Sequence, residues 1–295
     1  MEPHLSTYAL VAHRETTTTQ GLVHAFRALG ITSRVLRPRE ALSVLGPDDV
    51  VLARLDIRHD LAGIEPGLWE LRMLEREGIR VLNSASALVA AHDKLSCALQ
   101  LAGTGLAHPP TVPVGVDTRE PPLPFPLVLK PRFGSWGRDV VLCTGEEDFA
   151  LAVAGFRRRP WFRSVGGVAQ ELLPPTGRDL RVIVSGGEAV GAIERLAAPG
   201  EWRTNIALGG VRRPVDAPPG AGELAVAAAA AMGIDLAGVD LLPGPAGGHV
   251  VLEVNGAPEF TPEYRRDTDV FEMALRALVR SLDGQALPQG AAQVS

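Results

Sequence analysis

The chain has 295 residues, 46% of them hydrophobic, and a formal net charge of −5. That apolar content suffices for two or three modest lobes with real cores. The acidic balance argues against a nucleic-acid surface, because phosphate-backbone binders carry a basic face. No run of about 18 uncharged apolar residues could span a bilayer, and Met1-Glu-Pro-His4 lacks the basic start of a secretory signal. Cys97 and Cys143 stand in unrelated contexts, which suits a reducing compartment rather than a disulfide or metal pair. The expectation is a cytoplasmic protein without membrane or nucleic-acid partners.

In chain order, Tyr8–Ala12 reads as a strand and Gly21–Gly30 as a helix closed by a glycine. Asp49–Ala53 is a second buried strand, Gly67–Glu77 a helix stopped at Gly78, and 79–82 a further strand. This alternation predicts a small parallel sheet with helices on its faces. It contains no G-x-G-x-x-G, so dinucleotide binding has no support. The four threonines at 16–19 could cap the following helix or hold a ligand, and read first as helix capping and loop packing. Two proline-rich stretches, His108–Pro113 and Pro121–Pro126, disfavour helix and read as a linker. A second unit runs through 128–130, 139–142, a helix near Glu146–Ala154, and 167–170. Beyond Glu171, 180–184 and 189–193 flank Gly186-Gly187 as a hairpin, since paired glycines supply the positive φ that a tight turn demands. An alanine-rich helix over Ala221–Met232, a second hairpin turning around Pro243–Gly248, and a helix over about 269–282 complete the chain. The expected units are 1–90, 91–170 and 171–285, with 286–295 as a disordered tail.

The chemistry concentrates at element ends. Asp240 on one predicted strand and Glu253-Val-Asn255 on the next supply oxygen donors, and residues 253 and 255 project from one face. Hard divalent cations want such oxygens and keep nucleotide phosphates as their remaining ligands. Lys130 ends an apolar run and precedes a glycine loop, Phe133-Gly-Ser-Trp-Gly137. Lys94 opens a helical stretch after His92-Asp93. A Glu-x-Asn alone is ordinarily one polar face of a strand; two lysines and a glycine loop upstream turn it into a candidate phosphate and metal site.

Taken with Asn83-Ser84, Gln170-Glu171, Gly177-Arg-Asp-Leu-Arg181, Ala192-Ile-Glu-Arg195, Trp202-Arg-Thr-Asn205 and Gly238-Val-Asp240, these stretches resemble the ATP-grasp superfamily, and within it the RimK-like carboxylate–amine ligases, from about residue 83 to 259. The resemblance implies an α/β (α+β) ATP-grasp fold. Its N-terminal lobe would be Rossmann-like, its central lobe small, and its C-terminal lobe built on an antiparallel sheet. It implies a reaction in which ATP phosphorylates a carboxylate and an amine attacks the acyl phosphate, leaving an amide, ADP and phosphate. Such chemistry gathers anions, and enzymes meet it by positioning and electrostatics.

By the same resemblance, Lys94 and Lys130 contact the ATP phosphates, and Gly134, Ser135, Trp136 and Gly137 fold over them. Glu171 and Leu172 hold the adenine, and Asp179 the ribose. Arg203, Thr204 and Asn205 lie near the phosphates. Asp240, Glu253 and Asn255 bind two Mg²⁺ (or Mn²⁺) ions, with Glu253 bridging. Arg195, and with it Arg203, is the candidate for stabilising the acyl phosphate or the substrate carboxylate, since an arginine fork engages two oxygens at once.

The implied partners are an amino acid and a carboxylate substrate, with a peptide or small protein among the acceptors; a homo-oligomer is left open. Plainer readings stand beside these. Arg181 and Glu194 read equally as a cross-strand ion pair, and Trp136 and Trp202 as packing residues. His13, Arg14, Arg54, Arg58 and His59 lie at strand ends where α/β sheets present ligands, yet read first as solvated loop charges. Leu208 replaces a basic residue common in RimK-like enzymes, and Glu259-Phe260 replaces Gly-Leu or Gly-Phe. With Ser135-Trp-Gly-Arg138, that pair resembles the LysX-like branch, which joins an amino acid to the C-terminal glutamate of a small carrier protein. A nucleotide-binding regulator without turnover is the reading from outside the enzymes; intact lysines and metal positions argue against it.

Overall fold

A computed structural model of the chain describes residues 7–218, 220–244 and 247–283. Its first sheet is wholly parallel, in the order β2-β1-β3-β4, from β1 (Tyr8–Val11), β2 (Ser33–Leu36), β3 (Val50–Ala53) and β4 (Arg80–Leu82). Helices α1 (Thr17–Ala28), α2 (Pro38–Val44) and α3 (Leu68–Arg76) connect these strands. The α1 helix begins four residues before the predicted Gly21. Thr16 is its N-cap, its hydroxyl accepting from the Thr19 amide, as expected of these threonines, while Thr17, Thr18 and Thr19 form the first turn itself. The β2–α2 pair escaped prediction because Ser33-Arg-Val-Leu is a half-polar edge strand. Pro38 then stands at the first helical position, where its missing N–H costs nothing.

Helices α4 (Ala85–His92) and α5 (Lys94–Gly103) lead into the second sheet, with Asp93 as the N-cap of α5. That sheet is antiparallel, in the order β5-β8-β6-β7. It contains β5 (Thr111–Val114), β6 (Leu127–Pro131), β7 (Val141–Cys143) and β8 (Gly167–Glu171), covered by α6 (Glu146–Phe156) and α7 (Pro160–Val165). Part of the expected linker is therefore a strand. Pro113 sits in β5, which lies at the sheet edge, where a residue lacking an N–H is tolerated.

The third sheet runs β11-β10-β9-β12-β13, from β9 (Arg178–Ser185), β10 (Glu188–Leu196), β11 (Val211–Pro214), β12 (Leu236–Pro243) and β13 (His249–Asn255). Gly186 and Gly187 turn β9 into β10 at φ 53° and 80°. Helix α8 (Ala221–Met232) and helix α9 (Val270–Asp283) pack on this sheet. The turn of the second hairpin is only partly described, and the tail expected to be disordered lies outside the described residues.

The first and third sheets share their cores. One cluster joins Val11, Val51 and Leu74 to Val182, Ala228 and Val239; another joins Leu10, Phe26 and Leu52 to Ile193, Phe271 and Leu275. The second sheet builds another core around Leu127, Leu129, Phe149, Phe156 and Trp161, joined by Ile57 and Leu61 from the loop after β3. No helix among the described residues is long and apolar enough to cross a membrane.

Candidate active site

The third sheet carries a row of charges across one face, set by strand register. Arg195 on β10 faces Asp179 on β9, Arg181 on β9 faces Asp240 on β12, and Asp240 faces Glu253 on β13. Alternation places 179 and 181 on the same side. Arg181 grips Asp240 through Nε at 2.5 Å and Nη2 at 2.7 Å. Arg195 grips Asp179 through Nε at 2.7 Å and Nη2 at 2.5 Å, and its Nη2 also donates to Asp240 at 2.7 Å. The Thr204 hydroxyl lies 2.5 Å from the second Asp179 oxygen. Burial opposes the charge on Asp240, but the two guanidinium groups outweigh it and hold the carboxyl well below the usual range.

Opposite this row stand the two lysines. The Lys94 amide opens α5 by donating to the Arg132 carbonyl, and Arg132 in turn forks onto Asp93 at 2.6 Å through both nitrogens. That clamp aims the Lys94 ammonium at the Gly134 carbonyl, 2.8 Å away, and at Glu253, 3.0 Å away. Burial disfavours the Glu253 charge, but Lys94, Lys130 and Arg181 together outweigh it, so its carboxyl is lowered. Lys130 reaches from β6 to the Gln170 amide oxygen at 2.7 Å, and Gln170 is held by Thr111 at 2.8 Å. Burial, followed by repulsion from Lys94, pulls Lys130 down to about 8.

A cavity of about 140 Å³ lies between the second and third sheets and is lined by both lysines, Asp179, Arg195, Asp240 and Glu253. The 134–137 loop roofs it, closed from below by Lys94 and from the side by Arg203, whose Nη1 donates to the Gly137 carbonyl at 3.1 Å. Glu201 orients Arg203, bonding it through both carboxylate oxygens. Gly137 has φ 70°, and a β-carbon there would come within 2.8 Å of Asn205 Oδ1, so glycine is required. Glu171 and Leu172 line the far end, their amides bonded to the Pro110 and Pro126 carbonyls. Every candidate nucleotide residue lines this cavity. Among the candidate metal positions, Asn255 shares the Glu253 face but does not line it; its Oδ1 accepts from the Ala257 amide.

Two plainer expectations are corrected. Arg181 does not pair with Glu194, because register puts Arg181 opposite Ile193 and Glu194 opposite Leu180, on contrary faces; Glu194 bonds Arg213 instead. Arg54 is not a solvated loop charge: it is 5% exposed and bonded to the Pro258 carbonyl and Glu259. Arg14 and Arg58 do remain near solvent, beside Glu65 and Asp60. Trp136 is no core residue, at 46% exposed, with the Arg138 guanidinium 5.1 Å over its ring. The site residues that sequence reasoning undervalued are Arg181, Gln170 and Thr111. The two-residue spacing of Asp179 and Arg181 was the available signal, since it sets both on one strand face.

The donors suit a divalent cation. They are oxygens only, two from carboxylates that neighbouring cations keep ionised and one from an amide, on two paired strands. Among the described residues no group of three His, Cys, Asp or Glu side chains converges as a self-sufficient metal site.

Residues 87–275 match the RimK-like ATP-grasp domain. A probable alpha-L-glutamate ligase of Parasynechococcus marenigrum is 35% identical over 193 residues, 63% of this chain but only 40% of that protein. The Glutamate--LysW ligase ArgX of Sulfurisphaera tokodaii is 30% identical over 214 residues, 69% of this chain and 75% of ArgX. In fold, the chain is similar to a RimK domain ATP-grasp protein of Sphaerobacter thermophilus, with a TM-score of 0.66 at 20% identity over 93% of this chain and all of the other. The architecture is an α/β ATP-grasp fold, and the chain belongs to the RimK-like ATP-grasp family of ligases.

Proposed function

We propose that the chain uses ATP, with Mg²⁺, to activate a carboxylate and join it to the amine of an amino acid such as glutamate. The observation carrying this reading is the convergence of Lys94, Lys130 and Arg203 with Asp240 and Glu253 on one roofed cavity. Lys94 and Lys130 would take the triphosphate, and the 134–137 loop would exclude water from it. Glu171 and Leu172 would hold the base and Asp179 the ribose. Asp240, Glu253 and Asn255 would hold one or two Mg²⁺ or Mn²⁺ ions, which when bound neutralise phosphate charge. Arg195 binds Asp179 and Asp240 through Nε and Nη2 only, and it lines the cavity. Arg195 and Arg203 would be the cations that stabilise the acyl phosphate or the substrate carboxylate. The divisions 1–90, 91–170 and 171–285 would follow the three sheets.

ArgX, named for ligating glutamate to LysW, supports a small protein as acceptor; the relatives named glutamate ligases support an acceptor without that restriction. The test is ADP release that requires both an amino acid and a carboxylate acceptor, with the added residue weighed by mass spectrometry. Glu253→Gln should lower that release by roughly 100-fold, since removing one transition-state electrostatic group costs about that much. Near-normal ADP release by this variant would refute the site.

A further inference from the structure

Lys94 and Arg203 fasten the roof loop by the Gly134 and Gly137 carbonyls. Under the ligase reading these same cations meet nucleotide or acyl phosphates, which would compete with the carbonyls for them. A further fastening uses neither. Arg138 Nη1 donates to the His59 carbonyl at 3.0 Å, and the His59 ring lies 6.0 Å from the Trp136 ring, tilted by 47°. The Arg138 guanidinium covers the other ring in turn, 5.1 Å over Trp136. Trp136 and Arg138 line the cavity, but His59 does not.

The segment carrying His59 is built to stay in place. An antiparallel bridge between Ile57 and Ile64 closes its base, and Ile57 and Leu61 are anchored in the core of the second sheet. Leu61 holds φ 60°, which a non-glycine residue keeps only where its neighbours over-determine it. Arg14 steadies the ring, its Nη1 lying 2.9 Å from His59 Nε2; an arginine can only donate, so Nε2 is the acceptor. The roof side has the opposite character. Trp136 carries φ 59°, and Arg138 Nε is buried without a hydrogen-bond partner. Lifting the loop into water would relieve both costs, so closure depends on what holds the loop from outside.

We propose that His59 is a positioning residue, clasping Trp136 and Arg138 from outside the cavity to keep the roof down on bound nucleotide once phosphates have drawn on Lys94 and Arg203. The inference rests on the nucleotide half of the ligase reading and adds to it a fastening from the loop after β3. Without the clasp, nucleotide escapes faster and water enters. Water then takes the amine's place at the acyl carbon and the bond from that carbon to the phosphate oxygen breaks. Carboxylate, phosphate and a proton leave, and the ATP is spent without an amide.

The experiment measures, on the full chain with Mg²⁺, the release rate of a fluorescent ADP analogue and the deuterium exchange of residues 133–140. In His59→Ala, release should quicken about threefold to tenfold, the worth of an aromatic pair. Roof amides should exchange faster while those of β9 are unmoved. His59→Phe keeps a ring against Trp136 and should restore both readouts toward wild type. Arg14→Ala, at the surface, should quicken release in the same direction and decides the matter if the His59 variants fail to fold. In turnover, His59→Ala should make more ADP per amide than wild type. Unchanged release in the folded variants overturns the clasp, and so does an equal rise in β9 exchange, which marks general loosening. Release and exchange need nucleotide alone, so ADP production indifferent to amino acid and acceptor would end the ligase reading and leave the clasp standing. A wild type that binds no ADP analogue overturns both.

Discussion

At the scale of single residues, Lys130 is the most informative group. Burial and Lys94 lower its pKa from 10.5 to about 8. The unfolded chain therefore holds a proton between pH 8 and 10 that the folded chain has shed, and stability rises with pH where the unfolded state binds more protons. Without nucleotide, wild type should gain thermal stability across that window relative to Lys130→Met, which has no such group. ATP affinity should move the other way, weakening above pH 8 as the cation is lost. Scanning calorimetry and titration of both proteins at pH 7 to 10 checks the pair; parallel stability profiles would show that Lys130 keeps its proton. Lys130 itself was legible, because a lysine ending an apolar strand before a glycine loop has few structural reasons to be there. Its partner Gln170 was only a letter in a motif. That the two bond depends on antiparallel pairing of β6 with β8, and one sequence does not specify pairing.

At the scale of elements, the acidic row depends on β9 and β12 being held in register, and Arg181 bridges them onto Asp240. Removing one partner of a buried pair leaves the other charge uncompensated. Arg181→Met should therefore destabilise the protein by about 3 kcal/mol. The double variant with Asp240→Asn should recover part of that, read by denaturant unfolding; no recovery would mean that Arg181 acts through packing of its stem. The strands themselves were readable from apolar runs, and the β9–β10 turn from its paired glycines. The unread elements are β2, α2, α4, β5, α7 and β11. All are short, several are half-polar or proline-bearing, and tertiary packing rather than local pattern makes them regular.

At the scale of the whole molecule, Asn83 ties the first sheet to the third. Its backbone has φ 55°, which asparagine tolerates. Its amide nitrogen donates to the Leu236 and Gly256 carbonyls, and its Oδ1 accepts from the Asp235 and Leu236 amides. Asn83→Ala strands four buried backbone groups and should cost about 3 kcal/mol or more, measured by thermal and urea unfolding. A loss under about 1 kcal/mol would mean that water replaces the side chain. This junction was visible only as a resemblance, since nothing local says that residue 83 meets residues 235 and 256.

The largely distinct core of the second sheet should set how the protein breathes. Two of the three sheets are welded through common apolar clusters and Asn83, so they should open to solvent as one cooperative block. The β5–β8 layer shares with that block little more than the Ile57 and Leu61 corner of its core and the bonds of Arg132 to Asp93 and Arg138 to the His59 carbonyl, so it should open more readily than that block, carrying Lys130 and the roof loop with it. Amides of β6 and β8 should then exchange with deuterium through a lower-energy opening than those of β9 and β12, and nucleotide should slow the first group far more than the second. On that expectation the cavity would open as one whole sheet turns against the other two.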